Sequence, residues 1–362
     1  LIYLLMYITF ASTKHQVVMS SPVTIAEIAR SAGVGTATVD RVLNGRSGVN
    51  ADTERKVLDV INALGAPPAI RGRPRSKGNF KFAYVLPACS SPFLDDLERH
   101  IAQTAGDFRH QHITELTYRF SAEDPAHFAF ELSRVTDCDA IVLIAPDVPA
   151  IKLAINDHVR AGVHVATLFT DVAGSMRQAF IGADNRAAGR TAGLLLGRMA
   201  RQQQRTQLLL VSQTTRMSSE IERRIGFSQV IEERFHDLSV VRLADIPSDN
   251  EGACKALADY LESGIDLSRL SGLYCVGLAS EGLAGALEQA GLTQCVPFIA
   301  HDLTAAHQSM LINGSLAYVL HQDVHYCVLT AARVLRGLCE NVRGVQSVAQ
   351  PRVEILTAEN LH

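Results

Sequence analysis

Ten short apolar runs, separated by stretches of helical character, occupy the chain from residue 80 onward and restrict its fold more than any other feature. They are residues 82–86 (FAYVL), 113–118 (ITELTY), 140–145 (AIVLIA), 163–169 (VHVATLF), 179–182 (AFIG), 207–212 (QLLLVS), 239–243 (SVVRL), 272–276 (GLYCV), 297–300 (PFIA) and 316–320 (LAYVL). Amphipathic helices fill the gaps, as in residues 92–105 and 256–264. Runs that are apolar throughout belong to strands covered on both faces, and strands separated by helices pair in parallel. The number of strands suits two lobes, each a doubly wound parallel sheet. A chain of 362 residues with 47% hydrophobic residues can fill such cores.

The segment 23–44 reads differently. Val23, Ile25, Ile28 and Ala29 recur at helical spacing, with Thr24 placed as an N-cap. Gly33 breaks the pattern, and Val34, Val39, Val42 and Leu43 form a second apolar face. Thr36, Ala37, Thr38, Asp40 and Arg41 are free to point outward. Two short helices joined by a glycine turn have the shape that lays the second helix in the DNA major groove. Residues 50–64 form a third helix, capped by Asn50, with Val57, Leu58, Val60, Ile61 and Leu64 as its apolar stripe.

The net charge of −3 conceals an asymmetry. Residues 20–81 carry a net +5, and residues 82–362 a net −9. A basic head on an acidic body suits a module that meets phosphates while its body stays off them. Between the two lies the segment 65–79, GAPPAIRGRPRSKGN, a linker rich in proline, glycine and basic residues. Within it, Arg71, Arg73 and Arg75 resemble an AT-hook, whose extended arginines lie in narrow A·T-rich minor grooves; a solvated basic linker is the alternative. The seven cysteines are scattered and never spaced C-x-x-C, so they indicate neither a zinc site nor a disulfide framework. The apolar run 1–10 lacks a basic flank and a cleavage site and is too short to span a bilayer. Residues 1–19 are therefore expected to be a disordered upstream extension, with Met19 close to the working start.

The stretches Val23-Thr24-Ile25-Ala26-Glu27-Ile28-Ala29, Ala32-Gly33-Val34-Gly35-Thr36-Ala37-Thr38-Val39-Asp40-Arg41-Val42-Leu43-Asn44 and Val49-Asn50-Ala51-Asp52-Thr53-Glu54-Arg55-Lys56-Val57 resemble the N-terminus of the lactose-repressor (LacI/GalR) family of bacterial transcription regulators. Gly35 and Asp40 depart from it, standing where the family has serines. The resemblance implies a cytoplasmic regulator, a repressor acting as a homodimer on a near-palindromic operator. Thr36, Ala37 and Arg41 are expected to reach base edges, with Arg41 bidentate to guanine. Thr24, Thr38, Asn44 and Asn50 complete the expected DNA-contacting set, together with Arg71, Arg73 and Arg75.

Residues 80–355 resemble the periplasmic sugar-binding-protein fold that forms the effector domain of that family. The likeness rests on Ser175-Met176-Arg177, Ile181-Gly182-Ala183-Asp184-Asn185-Arg186-Ala187-Ala188-Gly189-Arg190, Arg223-Arg224-Ile225-Gly226-Phe227, His301-Asp302-Leu303-Thr304 and Gln322-Asp323. Ligands of doubly wound sheets bind at carboxyl ends of strands, where Asp147, Asp171, Asp302, Gln322 and Arg223 fall. The resemblance carries Asp147, Arg223, Asp302 and Gln322 onto sugar-contacting positions, and Phe93 onto an aromatic that packs on a sugar face. Asn185 is a further candidate contact. Cys275 stands where the ribose-binding-like branch has an asparagine, which points to a less hydroxylated ligand or to a phosphorylated one held by Arg177 and Arg223.

The expected architecture is therefore an all-α helix-turn-helix domain (20–65), a hinge linker (66–79) and an α/β two-lobed periplasmic-binding-protein-like domain (80–355). The first lobe is expected at about 80–183 and 313–340, the second at about 184–312 and 341–355. The sequence contains no P-loop, H-E-x-x-H or G-x-S-x-G motif, so no enzyme, cofactor or metal is expected. A carbohydrate-like effector leads, with a nucleobase or sugar phosphate as alternatives. A transporter's solute-binding protein is the other class, and the basic head argues against it.

Overall fold

The computed structural model describes residues 25–43, 48–63, 79–89, 91–107, 113–213, 216–264, 266–340 and 349–361. The expectations for residues 1–19, for Thr24 and Asn44 and for the linker arginines Arg71, Arg73 and Arg75 lie outside the described residues. The chain divides into two compact units, Leu1–Pro74 and Arg75–His362.

The first unit contains α1 (Ile25–Ala32), α2 (Thr36–Leu43) and α3 (Ala51–Ala63). Its core is Ile28, Ala29, Ala32, Val39, Val57 and Ile61, with Val34, Val42 and Val60 packed against it. Gly33 makes the turn between α1 and α2 at φ +66°, a conformation that glycine adopts without steric cost. The α3 stripe is narrower than its sequence predicts. Leu58 is 41% exposed, because it lies a full 100° step around the helix from Val57 and falls outside the buried arc.

The second unit is built on two sheets. The first has the order β2-β1-β3-β4-β5, from β1 (Phe80–Pro87), β2 (Ile113–Phe120), β3 (Ala140–Leu143), β4 (His164–Leu168) and β5 (Ala179–Ile181). The second has the order β11-β10-β9-β8-β6-β7, from β6 (Gln207–Gln213), β7 (Ser239–Ile246), β8 (Leu270–Cys275), β9 (Phe298–His301), β10 (Tyr318–His321) and β11 (Glu354–Leu356). Every pairing is parallel except β10 with β11. β1 shows why the runs read as continuously apolar. Phe80, Phe82, Tyr84 and Leu86 enter one core and Ala83 and Val85 the other, so successive side chains are buried on opposite faces.

Helices α4 (Pro92–Asp107), α5 (Pro125–Ser133), α6 (Pro149–Arg160) and α12 (Val324–Cys339) cover the first sheet. Helices α7 (Asn185–Gln203), α8 (Ser218–Arg234), α9 (Asn250–Glu262), α10 (Ser280–Gln289) and α11 (Ala305–Ile312) cover the second. The boundary expected at 313 moves. β10 pairs with β9 and β11, so it belongs to the second lobe and the chain returns to the first at Gln322–Asp323. Residue 313 caps the end of α11 inside the second lobe. The strand β11 gave no apolar run of its own, being three residues long with two of them exposed.

Candidate functional site

Two surfaces of the chain have the makings of a site, one in each unit. On α2, Thr36, Ala37 and Arg41 are exposed, Thr38 and Asp40 half-buried and Val39 fully buried. At 100° per residue the exposed three fall within one arc of about 140°, opposite the core contact. Gly35 precedes the helix without a side chain to cap it. Its carbonyl accepts from Val39 at 3.2 Å, while no hydroxyl is there to bond the first amides. Asn50 is occupied as a cap: its Oδ1 accepts from the Thr53 amide at 2.8 Å, fixing the start of α3.

The second surface is a cleft of about 1070 Å3 between the lobes. It lies at the carboxyl ends of the strands, where parallel sheets leave room for a ligand. Of the eight residues expected from sequence, Phe93, Arg223 and Asp302 line it. Phe93, at the start of α4, meets Phe169 edge-to-face with ring centroids 5.3 Å apart. Phe169, Ala279 and Asp302 all line the cleft with left-handed backbones, at φ +59°, +62° and +61°. Such conformations are costly for non-glycine residues and concentrate where function requires them.

Arg223 is held in place from several sides. Its Nε donates to Asn185 Oδ1 at 2.9 Å and its Nη1 to the Val276 carbonyl at 3.0 Å, and Nη2 lies 3.9 Å from Asp302 Oδ2. Asn185 in turn donates to the Phe169 carbonyl at 3.0 Å. The backbone beneath Arg223 is fixed by the α7–α8 crossing. A Cβ at Gly189 would stand 1.9 Å from the Arg223 carbonyl oxygen, and one at Gly226 would stand 2.1 Å from that of Arg186. Only glycine lets the two helices approach so closely. Gln322 supports Asp302 in the same way, donating to its Oδ1 at 3.3 Å and accepting from the Ala183 amide at 3.1 Å. Asn185 and Gln322 thus stand behind the wall and orient the residues that form it.

Three expected contacts are elsewhere. Asp147 pairs with Lys152 at 2.9 Å. Arg177 forms a two-pronged pair with Asp171, whose Oδ1 also accepts from Thr167 at 2.8 Å. Neither Asp147 nor Arg177 lines the cleft. Cys275 is fully buried beneath the loop that follows β8, with Sγ 3.3 Å from the Leu278 carbonyl. Burial pushes its thiol up to about 12, so it stays protonated. Gln213 holds that loop, donating to the Leu278 carbonyl at 2.7 Å and accepting from its amide at 3.0 Å.

His301 adjoins Asp302 in sequence, whereas nothing in the sequence pattern marks His307. His307 Nδ1 donates to the Asp302 carbonyl at 2.5 Å, which leaves Nε2 to accept from the Ser280 hydroxyl at 2.5 Å. His301 Nε2 meets the Tyr274 hydroxyl at 2.6 Å. Burial lowers both histidines' pKa values and keeps the rings neutral; the Arg223 charge adds to the effect at His301. Glu220 was also missed. It lies three residues before Arg223 on α8, and that spacing could have placed both on one helix face. On one side the lobes are fastened. Ser218 Oγ donates to the Asp171 carbonyl at 2.7 Å and accepts from the Asp171 amide at 2.8 Å, and the Asp147 amide donates to the Arg216 carbonyl at 3.0 Å.

Among the described residues no group of three or more His, Cys, Asp or Glu could hold a metal ion, and no helix is long and apolar enough to cross a membrane.

Comparison with known proteins follows the same division. Residues 82–341 match the family described as periplasmic binding protein domain. The chain belongs to that family. Residues 24–68 match bacterial regulatory proteins of the lacI family, so the head is a lacI-family helix-turn-helix domain. The HTH-type transcriptional regulator MalR of Streptomyces coelicolor is 40% identical over 79 residues, which is 22% of this chain and 22% of that protein. A glucose-galactose binding protein, GanP, of Geobacillus stearothermophilus superposes with TM-score 0.68 at 16% identity, covering 79% of this chain and 99% of that one. A Caulobacter myo-inositol binding protein gives TM-score 0.69 at 19% identity, covering 80% and 96%. At such identities these structures establish the fold alone.

Proposed function

We propose that the protein is a DNA-binding transcriptional regulator, a repressor acting as a homodimer, whose operator affinity is set by a small carbohydrate-like effector held between the lobes. The observation that carries the reading is the pairing on one chain of a lacI-family head, with Thr36, Ala37 and Arg41 on the exposed arc of α2, and a periplasmic-binding-protein cleft lined by Phe93, Arg223 and Asp302. Each half alone has other uses; together they describe two sites on one molecule, and the proposed control of operator affinity by the effector requires that DNA alter effector affinity by the same factor. This reading places the protein in the cytoplasm beside DNA, with no cofactor, metal or catalytic step. The head, together with the match to regulators, weighs against a transporter's solute-binding protein.

The chemistry of the cleft fits a polyol. Hydroxyl groups need paired donors and acceptors, which Arg223, Asp302, Ser280 and Asn250 offer, and a ring face needs the apolar shelf of Phe93 and Phe169. Selection of bound fragments from a random duplex library, followed by fluorescence anisotropy at fixed salt, tests the head. Arg41→Ala is expected to weaken the selected site by about 10- to 100-fold and to relax one base position, as loss of a bidentate base contact does. Unchanged sequence preference in that variant would overturn the assignment of α2 as the reading helix.

A further inference from the structure

One hydroxyl in the wall of the second lobe has a fixed direction. Ser280 is the first residue of α10, one position past an N-cap, Ala279, that has no side-chain bond to the helix amides. The serine hydroxyl meets His307 Nε2 on α11 at 2.5 Å, and both residues are buried while lining the cleft. The other ring nitrogen settles which partner donates. His307 Nδ1 lies 2.5 Å from the Asp302 carbonyl oxygen, and a carbonyl only accepts, so Nδ1 carries a proton. Burial keeps the ring neutral, with that proton its only one. Nε2 is then a bare lone pair, and the Ser280 proton points at it.

A hydroxyl has one proton and two lone pairs. With its proton committed, Ser280 offers the cleft lone pairs alone. The arrangement admits no alternative ring orientation, because flipping His307 would set carbon against both oxygens. Its two anchors are also held by the backbone. Ala279 and Asp302 take left-handed conformations at φ +62° and +61°, and Thr304 Oγ1 accepts from the His307 amide at 3.2 Å. Neighbouring amides are committed likewise. Gln213 is bonded at both ends to Leu278, and Asn250 Oδ1 accepts from the Gly282 amide at 3.1 Å.

We propose that Ser280 is a specificity residue of the cleft, accepting a hydrogen bond from an alcohol of the effector and rejecting an ether, a carbonyl or a halogen at the same point. His307 is the positioning residue that imposes this polarity. Two acceptors brought together in a desolvated space leave both unsatisfied, so an analogue lacking the donor is penalised. This specificity rests on the carbohydrate reading of the cleft and deepens it, since it separates a free hydroxyl from the same oxygen alkylated or oxidised. Charging His307 would reverse it, turning Nε2 into a donor and the serine proton outward. The ring faces Glu281 on α10 and Asp302 and His301 at the end of β9, while Arg223 on α8 acts on those last two. The carboxylates favour a charged ring and burial outweighs them, which puts the reversal below the ordinary value of 6.5.

The test uses the full-length protein and calorimetric titration at pH 7. Hexose, pentose and inositol skeletons are each presented as the parent and as monodeoxy and monodeoxyfluoro derivatives; fluorine is close to a hydroxyl in size and donates nothing. On the skeleton that binds, one position is expected to lose about tenfold on either replacement. In Ser280→Ala the loss at that position should fall below about threefold while losses elsewhere persist. His307→Leu releases the serine proton, so the fluoro derivative should there bind better than the deoxy one. His307→Gln, whose amide can donate to Asp302 and accept from Ser280, should keep the parent protein's pattern. Thermal melting checks that each variant is folded. If His307→Leu is not, the unaltered protein titrated below pH 6.5 supplies the same comparison, with Ser280→Ala as its blank. A position-specific loss that Ser280→Ala leaves unchanged, or fluorine that rivals hydroxyl at every position, overturns the inference while leaving the carbohydrate reading intact. Failure of every skeleton to bind would bring down both.

Discussion

The two walls of the cleft are made of different material. The first lobe contributes Pro87, Ala88, Phe93, Ile144, Val148 and Phe169, a mostly apolar shelf whose polar groups include Ser91, Thr170 and the exposed carboxylates of Glu123 and Asp124. The second contributes Gln213, Glu220, Arg223, Ser280, Asp302 and His307, many of them already bonded to one another. A hydrogen-bonded wall recognises its ligand by geometry and is expensive to rebuild; an apolar shelf adds affinity through area and tolerates change. The division predicts that recognition resides in the second lobe and that the first supplies desolvation when the lobes meet.

Arg223→Ala attacks that difference most directly. It strands Asn185 and Asp302 in a buried setting, where removing one partner of an ion pair costs about 3–5 kcal/mol. Urea unfolding should record that loss, and thermal shift by any effector should vanish. Next in size is Gly189→Ala. Its Cβ has to displace the α8 backbone, which is expected to cost about 2–3 kcal/mol and to move Arg223 without touching the cleft's chemistry. Lost effector affinity with DNA binding retained would distinguish it from general unfolding. On the opposite wall, Phe93→Ala should leave stability within about 1 kcal/mol and weaken the effector roughly tenfold, since the residue is half-buried at the edge of the first-lobe core and under the proposed reading packs on the ligand. If Phe93→Ala proves worse than Arg223→Ala, the proposed division between the walls is inverted.

The smallest expected effect is a difference in pH response. In the first lobe, burial raises Glu115 from an ordinary 4.5 to about 7, and neither of its oxygens has a hydrogen-bond partner among the described residues. The folded form keeps that proton longer than the unfolded chain, so its stability contribution is full below about 4.5 and disappears as pH rises through 7. Glu115→Gln should remove that slope, about 1 kcal/mol after allowing for solvent screening at a half-exposed group. In the second lobe, His301 and His307 are held neutral, below the ordinary value of 6.5. Their contribution is present above that value and lost as pH falls below it, because unfolding then takes up protons. Melting followed from pH 5 to 8 should show the two arms, each abolished separately by substitution.

Much of this molecule could be read before its coordinates. The ten apolar runs became β1 to β10; inner strands such as β1, β3 and β8 are buried on both faces and leave nearly unbroken apolar runs, while the edge strands β2 and β7 keep polar, partly exposed positions. The three-residue β11 left none. Arg223 and Asp302 were legible because strand-end position and the family resemblance agreed, and Phe93 was legible through the resemblance alone. Asp147, offered by strand-end position, and Arg177, offered by the resemblance, do not line the cleft; Lys152 and Asp171 pair with their charges, and sequence does not reveal such pairings. His307 was hidden for the opposite reason. It sits on α11, and only folding brings its ring to the Asp302 carbonyl and Ser280.

The amide of Gln322 touches Ala183, where the polypeptide first leaves one half for the other, and Asp302, where a guest would be held. A guest that claims the Asp302 carboxylate therefore bargains with the same group that steadies the passage between halves. Under the proposed reading, occupancy would be registered at the crossover itself, through Gln322 and through Asn185, which joins Arg223 to the Phe169 carbonyl.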